Sequence, residues 1–182
     1  QSSFNLSIST FPLNMVRDCS TLTVQPASGY SGDLVDLQAR LTGNSNTYAT
    51  WWDYAEIVFK LDGTEVGRKF TNTDGYATLT NVVIPDLGSG VFTDYITVEF
   101  AGNSGLLPSN GSANLTITDI PVTITADEGQ SKVEGQSDPV LTYTSSVDGL
   151  TFTGALGRET GETPGTYAIT QGTLTPPTGY II

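Results

Sequence analysis

Apolar residues in this chain recur at every second position, and no stretch repeats them at the 3.6-residue spacing of a helix stripe. Phe4, Leu6 and Ile8 alternate with Asn5, Ser7 and Ser9, and Val35, Leu37, Ala39 and Leu41 alternate with Asp36, Gln38 and Arg40. Alternation of this kind predicts strands with one dry and one wet face. Ile57, Phe59 and Leu61 repeat the pattern and run into Asp62-Gly63, a pair that readily takes the positive φ of a tight hairpin turn. The return strand carries Val66 and Phe70, and Ala77 and Leu79 follow a second turn at Asp74-Gly75. Ile96, Val98 and Phe100 make the clearest strand, and Leu115 and Ile117 make another. Turn signals at Pro26 to Gly29, Gly43-Asn44, Asp86 to Gly90 and Gly102 to Gly105 separate these runs. Many short strands at such spacing predict an all-β sandwich rather than a parallel α/β sheet.

A second set of alternating strands begins after Asp119-Ile120-Pro121. Pro121 has no N–H to give to a ladder, which suits a join between two sandwiches. Val122, Ile124 and Ala126 start the new set, and Leu141/Tyr143, Leu150/Phe152, Tyr167/Ile169 and Tyr180/Ile182 mark its later strands. Both parts are acidic: residues 1–118 hold 11 acids and 5 bases, residues 119–182 hold 8 acids and 2 bases. Neither part is therefore a separate acidic tail. The 182 residues carry a net charge of −12, which argues against sequence-independent binding to nucleic acid or to anionic membranes. No apolar run approaches the ~18 residues of a membrane-spanning helix, so no direct membrane insertion is expected. The start at Gln1 reads as a mature product or a fragment.

The missing residue types exclude whole classes of chemistry. With no His, the Ser/His/Asp and Cys/His nucleophilic pairs and the usual zinc sites cannot be built. Cys19 is the single cysteine, so no internal disulfide exists. It is open to three readings: a buried small apolar residue, an exposed thiol, or half of a bridge to residues outside this chain. No Gly-rich stretch stands between a strand and a helix pattern, so no phosphate cradle is visible. Carboxylates, hydroxyls and aromatics are what is left for a site.

The most suggestive cluster is Trp51-Trp52-Asp53-Tyr54. Aromatic faces stack on sugar rings and a nearby carboxylate takes hydroxyls, so Trp51, Trp52 and Tyr54 form a candidate ligand contact. The competing reading sends one Trp into the core and leaves the other on the rim. The acids Asp119, Asp127, Glu128, Glu134 and Asp138 lie near the join or at loop ends and could gather a Ca²⁺ there. No Asp-x-Asp-x-Asp-Gly run exists, so solvated loop charges are the simpler reading, and no cofactor is expected. Nothing locates a carboxylate pair in a cleft for glycoside hydrolysis. No catalytic residue is assigned. Asn5-Leu6-Ser7, Asn110-Gly111-Ser112 and Asn114-Leu115-Thr116 match the glycosylation triplet, as chance allows in a chain whose Ser and Thr amount to roughly a quarter.

Two stretches resemble known modules. The first runs Gly32…Val35-Asp36-Leu37-Gln38-Ala39, Ile57-Val58-Phe59-Lys60-Leu61-Asp62-Gly63-Thr64-Glu65-Val66-Gly67, Thr73-Asp74-Gly75-Tyr76-Ala77-Thr78, Val98-Glu99-Phe100-Ala101-Gly102-Asn103 and Ser112-Ala113-Asn114-Leu115-Thr116-Ile117. In this order it resembles a Big-type bacterial immunoglobulin-like domain of large surface adhesins. The usual Gly-x-Tyr approach to the penultimate strand is lengthened to Gly90-Val91-Phe92-Thr93-Asp94-Tyr95. The second runs Ala126…Ser131-Lys132…Gly135…Asp138-Pro139-Val140-Leu141-Thr142-Tyr143, Leu150…Phe152-Thr153-Gly154-Ala155-Leu156…Arg158, Gly161-Glu162…Gly165-Thr166-Tyr167-Ala168-Ile169 and Gly172-Thr173-Leu174. It resembles the MBG-type repeat, another immunoglobulin-like module of bacterial adhesins.

The resemblances imply two tandem immunoglobulin-like antiparallel β-sandwich domains. Residues 19–119 are the first, residues 120–182 the second, C-terminally incomplete at Ile181-Ile182, and residues 1–18 are an N-terminal strand or linker segment. The implied function is a non-enzymatic stalk or filament module of an extracellular bacterial surface protein. Its implied partners are neighbouring modules or protomers, with the N-terminal strand a candidate for strand addition to a neighbour, or glycans and cell-surface proteins. The alternatives are a carbohydrate- or protein-binding module using Trp51, Trp52 and Tyr54, and an accessory domain of a secreted enzyme.

Overall fold

The computed structural model describes residues 16–43 and 52–182, and every regular element among them is a strand. The expected strand of Phe4, Leu6 and Ile8, and Trp51 of the aromatic cluster, lie outside the described residues. The strands are β1 (Ser20–Val24), β2 (Ala27–Gly29), β3 (Leu34–Gly43), β4 (Glu56–Leu61), β5 (Thr64–Phe70), β6 (Tyr76–Val83), β7 (Gly90–Phe100) and β8 (Ser109–Ile117). They are followed by β9 (Ile120–Pro121), β10 (Ile124–Ala126), β11 (Tyr143–Ser145), β12 (Gly157–Arg158), β13 (Ile169–Thr170) and β14 (Tyr180–Ile181).

The first eight strands build two sheets, ordered β1-β3-β6 and β2-β8-β7-β4-β5. Their alternation is obeyed residue by residue. Leu37, Ala39 and Leu41 of β3 are buried, as are Ile57 and Phe59 of β4 and Ile96, Val98 and Phe100 of β7, while their sequence neighbours face outward. The β4–β5 hairpin turns at Asp62 (φ 47°) and Gly63 (φ 76°), two successive left-handed residues as a two-residue hairpin turn requires. β5 is an edge strand whose Glu65, Arg68 and Lys69 are exposed, and charges on an edge discourage pairing with stray strands. The lengthened approach at Gly90 to Tyr95 is absorbed into the eleven residues of β7, with Asp94 at φ 52°.

The chain divides into two compact units, each assembled from separate stretches. Among the described residues the first comprises 16–25, 36–43, 52–79 and 94–113, and its interior includes Leu22, Leu37, Leu41, Ile57, Phe59, Ile96 and Val98. At roughly 1.5–3 kcal/mol for each fully buried large apolar side chain, these residues are its main source of stability.

The second comprises residues 26–35, 80–93 and 114–182, with Val82, Ile84, Leu115, Ile117, Val122 and Leu174 buried. In it β2 runs parallel to β8, and β9 runs parallel to β14, Ile120 opposite Tyr180 and Pro121 opposite Ile181. That ladder takes its N–H groups from Ile120 (to Gly179 O, 2.9 Å) and Val122 (to Ile181 O, 2.7 Å). Pro121 thus occupies the position whose N–H the pairing does not use, and the join expected there is itself a strand. Past Val122 the ladders are short: β10 pairs β11 over three residues and β12 pairs β13 over two. The expected Leu150/Phe152 strand is reduced to a single bridge, Thr153 with Thr175. Pro139, Pro164, Pro176 and Pro177 and left-handed glycines such as Gly149, Gly154 and Gly172 interrupt pairing before a longer ladder can form.

Candidate functional site

The aromatic cluster sits at the turn that leads into β4. Trp52 is half-buried; its ring lies against Gly43 and Gly75, and its indole Nε1–H donates to Thr73 O at 3.2 Å. This use of the ring is structural, because a satisfied indole N–H packed on glycine backbone is what a partly buried Trp needs. Tyr54, by contrast, is 79% exposed and holds φ at 59°, a left-handed conformation that bulky residues seldom adopt. Its ring meets that of Phe70, 56% exposed, with centroids 5.7 Å apart and planes tilted by 31°. The structure therefore separates Trp52 from Tyr54 in role and brings Phe70 into the cluster.

Thr71, only 3% exposed, holds this turn in place. Its Oγ1 donates to Trp52 O and accepts from Ala55 N–H at 2.8 Å. The Thr71 backbone pairs as well: Tyr54 N–H donates to Thr71 O at 3.1 Å and Thr71 N–H to Ala55 O at 3.0 Å. One buried threonine thus fixes both sides of the Tyr54 turn. Beside it, Glu56 opposes Phe70 in the β4–β5 ladder and accepts from Arg68 Nη1 at 3.2 Å. Arg68 also forms a two-pronged pair with Glu65, at 2.7 and 3.0 Å, which lowers the Glu65 carboxyl and raises the guanidinium.

The acids near the join do not converge. Asp119 accepts from Ser89 Oγ at 2.9 Å, whereas Asp138 is committed to two cations, Lys132 Nζ at 2.9 Å and Arg158 Nε at 2.9 Å. Among the described residues no group of three or more His, Cys, Asp or Glu side chains is gathered where it could hold a metal ion. Cys19 is exposed, so the reading that placed it in the core is corrected. It precedes β1, and the inward positions there fall to alternate residues such as Leu22, which leaves the thiol in solvent.

The residues quoted for the MBG-type resemblance do converge, which spacing alone did not reveal. Lys132 bridges Asp138 and Glu162, and Arg158 bridges the same two carboxylates, its Nη2 reaching Glu162 Oε1 at 2.6 Å. Lys132 and Arg158 are the only two bases between residues 119 and 182, and both are spent here. The Arg158 guanidinium lies 5.3 Å from the Tyr167 ring centre and its Nη1 donates to Gly161 O at 2.7 Å. The four charges line a cavity of about 420 Å³ with Leu141, Tyr167 and Ile169. Hydrogen bonds from Lys132, then from Arg158, hold both the Asp138 and Glu162 carboxyls below their ordinary range. Reciprocally, Glu162 and Asp138 raise Lys132, and Asp138 and Glu162 raise Arg158. Every charge in the quartet is matched, so the arrangement acts as a clasp across the loops of residues 130–169 and offers no unmatched group for acid–base chemistry.

No curated protein and no solved structure matches the chain. Residues 122–182 match the model of the MBG domain (YGX type), a repeat module of bacterial surface proteins.

Proposed function

We propose that the chain is a non-catalytic spacer from a bacterial cell-surface protein, two tandem immunoglobulin-like modules that extend a stalk or filament. The observation that carries this reading is the construction of the join. Strand β8 runs into β9 with only Thr118 and Asp119 between them. Thr118 N–H donates to Gly29 O at 3.0 Å, and two residues later Ile120 N–H donates to Gly179 O at 2.9 Å. Residues 26–35, 80–93 and 114–118 belong to the same compact unit as all of the MBG-type segment. A linker that is hydrogen-bonded along its length resists bending, which is what a spacer must do and a flexible tether must not.

The fold of the first module supports the same reading. Its opening strand is divided, β1 antiparallel to β3 in one sheet and β2 parallel to β8 in the other. The orders β1-β3-β6 and β2-β8-β7-β4-β5, two antiparallel-dominated sheets shared by the first eight strands, support the immunoglobulin-like reading. The MBG match supports location at the cell surface, where flanking modules are the natural partners. Residual dipolar couplings measured on the whole chain test the proposal. Couplings from residues 26–35, 80–93 and 114–117 and those from residues 122–182, all in one compact unit, are expected to fit one alignment tensor; two independent tensors would overturn the rigid-spacer reading.

A further inference from the structure

We infer that Tyr54 and Phe70, with the Glu56 carboxylate beside them, form a binding site for a neutral pyranose oligosaccharide on the outer face of the β4–β5 hairpin. The inference is independent of the spacer reading, because either can fail while the other stands. Its first support is an exposed aromatic pair: residues 79% and 56% exposed, with ring centroids 5.7 Å apart and planes tilted by 31°. The C–H face of a sugar ring is apolar enough to stack on such rings, while its edge carries hydroxyl groups that need acceptors. Glu56 opposes Phe70 directly in the ladder, so the two side chains stand on the same face. One Glu56 oxygen, Oε2, is used by Arg68 at 3.2 Å, which orients the carboxylate and leaves its second oxygen for a hydroxyl donor.

The second support is backbone strain. Tyr54 is held at φ 59°, where Gly or Asn would sit at lower cost. The buried Thr71 enforces that conformation from both sides, so the ring is presented in one place before any ligand arrives. A turn selected for stability alone would not place an exposed tyrosine there.

The size of the patch selects the ligand. Two rings at these exposures offer on the order of 300 Å² at most, given about 150–250 Å² for an aromatic side chain. A stable protein partner needs roughly 800 Å² on each side. One or two sugar rings need far less. The net charge of −12 disfavours uronic or sulfated glycans, which leaves neutral ones.

The test is a titration of the isotope-labelled whole chain with cellohexaose, chitohexaose and maltohexaose, read by amide chemical shifts. Saturable shifts confined to residues 52–56 and 68–72 are expected with at least one of them, at a Kd of about 0.1–10 mM. Phe70→Ala and Tyr54→Asn are each expected to weaken binding at least about tenfold, roughly 1.4 kcal/mol. Tyr54→Asn is also expected to melt no lower than the parent, since Asn tolerates the left-handed backbone. Four outcomes would overturn the inference: no shifts with any of the three sugars, shifts insensitive to both substitutions, a lower melting temperature for Tyr54→Asn, or the same shifts on raising protein concentration without sugar. The last would assign the patch to a second copy of the chain.

Discussion

Thr71 shows how much one side chain can hold. It is the one buried polar residue among those described, and its hydroxyl serves both Trp52 O and Ala55 N–H. Replacing it with Val keeps the shape and removes the hydroxyl, so two backbone groups lose their partner in a dry place. Thr71→Val is expected to destabilise the chain by about 1–3 kcal/mol, measured by urea unfolding, because an orphaned buried group carries its full desolvation penalty. Gly75 and Gly63 make a second comparison. Both sit in the left-handed region, at φ 82° and 76°, but an added Cβ at Gly75 would run into the Leu41 carbonyl and at Gly63 would meet nothing. Gly63→Ala is therefore expected to cost only the conformational strain, about 1 kcal/mol, and Gly75→Ala clearly more in the same unfolding experiment. Gly63 was legible from the sequence because Asp-Gly between alternating runs signals its turn. The burial of Thr71 was not, since it depends on residues 52–55 folding back over the end of β5, a contact that no local pattern encodes. For the same reason Trp52 and Tyr54, two positions apart in the chain and both aromatic, gave no sign of their opposite fates.

Strands of six or more residues were readable wherever alternation persisted, as in β3, β4 and β7, because a one-residue slip would expose every buried side chain. Beyond Val122 the ladders are two or three residues long, and single pairs such as Leu150/Phe152 looked like strands where only a bridge forms. Pairing there is replaced by side chains. The clasp of Lys132, Asp138, Arg158 and Glu162 ties together loops that backbone ladders leave loose. Its residues were visible in the sequence only as parts of a resemblance; the convergence needs the loop geometry. A pH dependence follows. The folded Asp138 and Glu162 carboxyls lie below their unfolded values, so their contribution is complete above the ordinary carboxylate range near 4 and disappears as pH falls through the lowered values. Lys132 and Arg158 are raised, so their contribution persists through neutral pH and is lost only in strong alkali. Amide protection in residues 130–169, read from exchange rates corrected for their intrinsic pH dependence, is expected to fall below about pH 4 and to be flat from pH 6 to 9. Lys132→Met combined with Arg158→Met should abolish the acid-side loss of protection, since Asp138 and Glu162 then lose both of their shared cations. An unchanged acid profile in that variant would show that the clasp does not couple to the loops.

For the whole molecule, stiffness is the property that distinguishes a spacer from a tether, and it rests on register. Thr118 and Ile120 send their N–H groups to Gly29 and Gly179, and the two-residue offset between them fixes the phase of β8 relative to β9. Asp119, between them, takes a hydrogen bond from Ser89. Inserting Gly-Gly-Ser after Asp119 keeps every strand and every buried residue but severs that phase. Three added residues raise the cost of loop closure by no more than about 1 kcal/mol, so the melting temperature is expected to move by only a few degrees. The dynamics should change far more: the single alignment tensor expected for residues 26–35, 80–93 and 114–117 with residues 122–182 should separate into two. On the proposed spacer reading, stability and rigidity are carried by different groups, the first by interiors such as Phe59, Ile96 and Val98, the second by a few backbone hydrogen bonds around Asp119. An insertion that left the tensor single would place the source of stiffness in side-chain packing rather than in strand register.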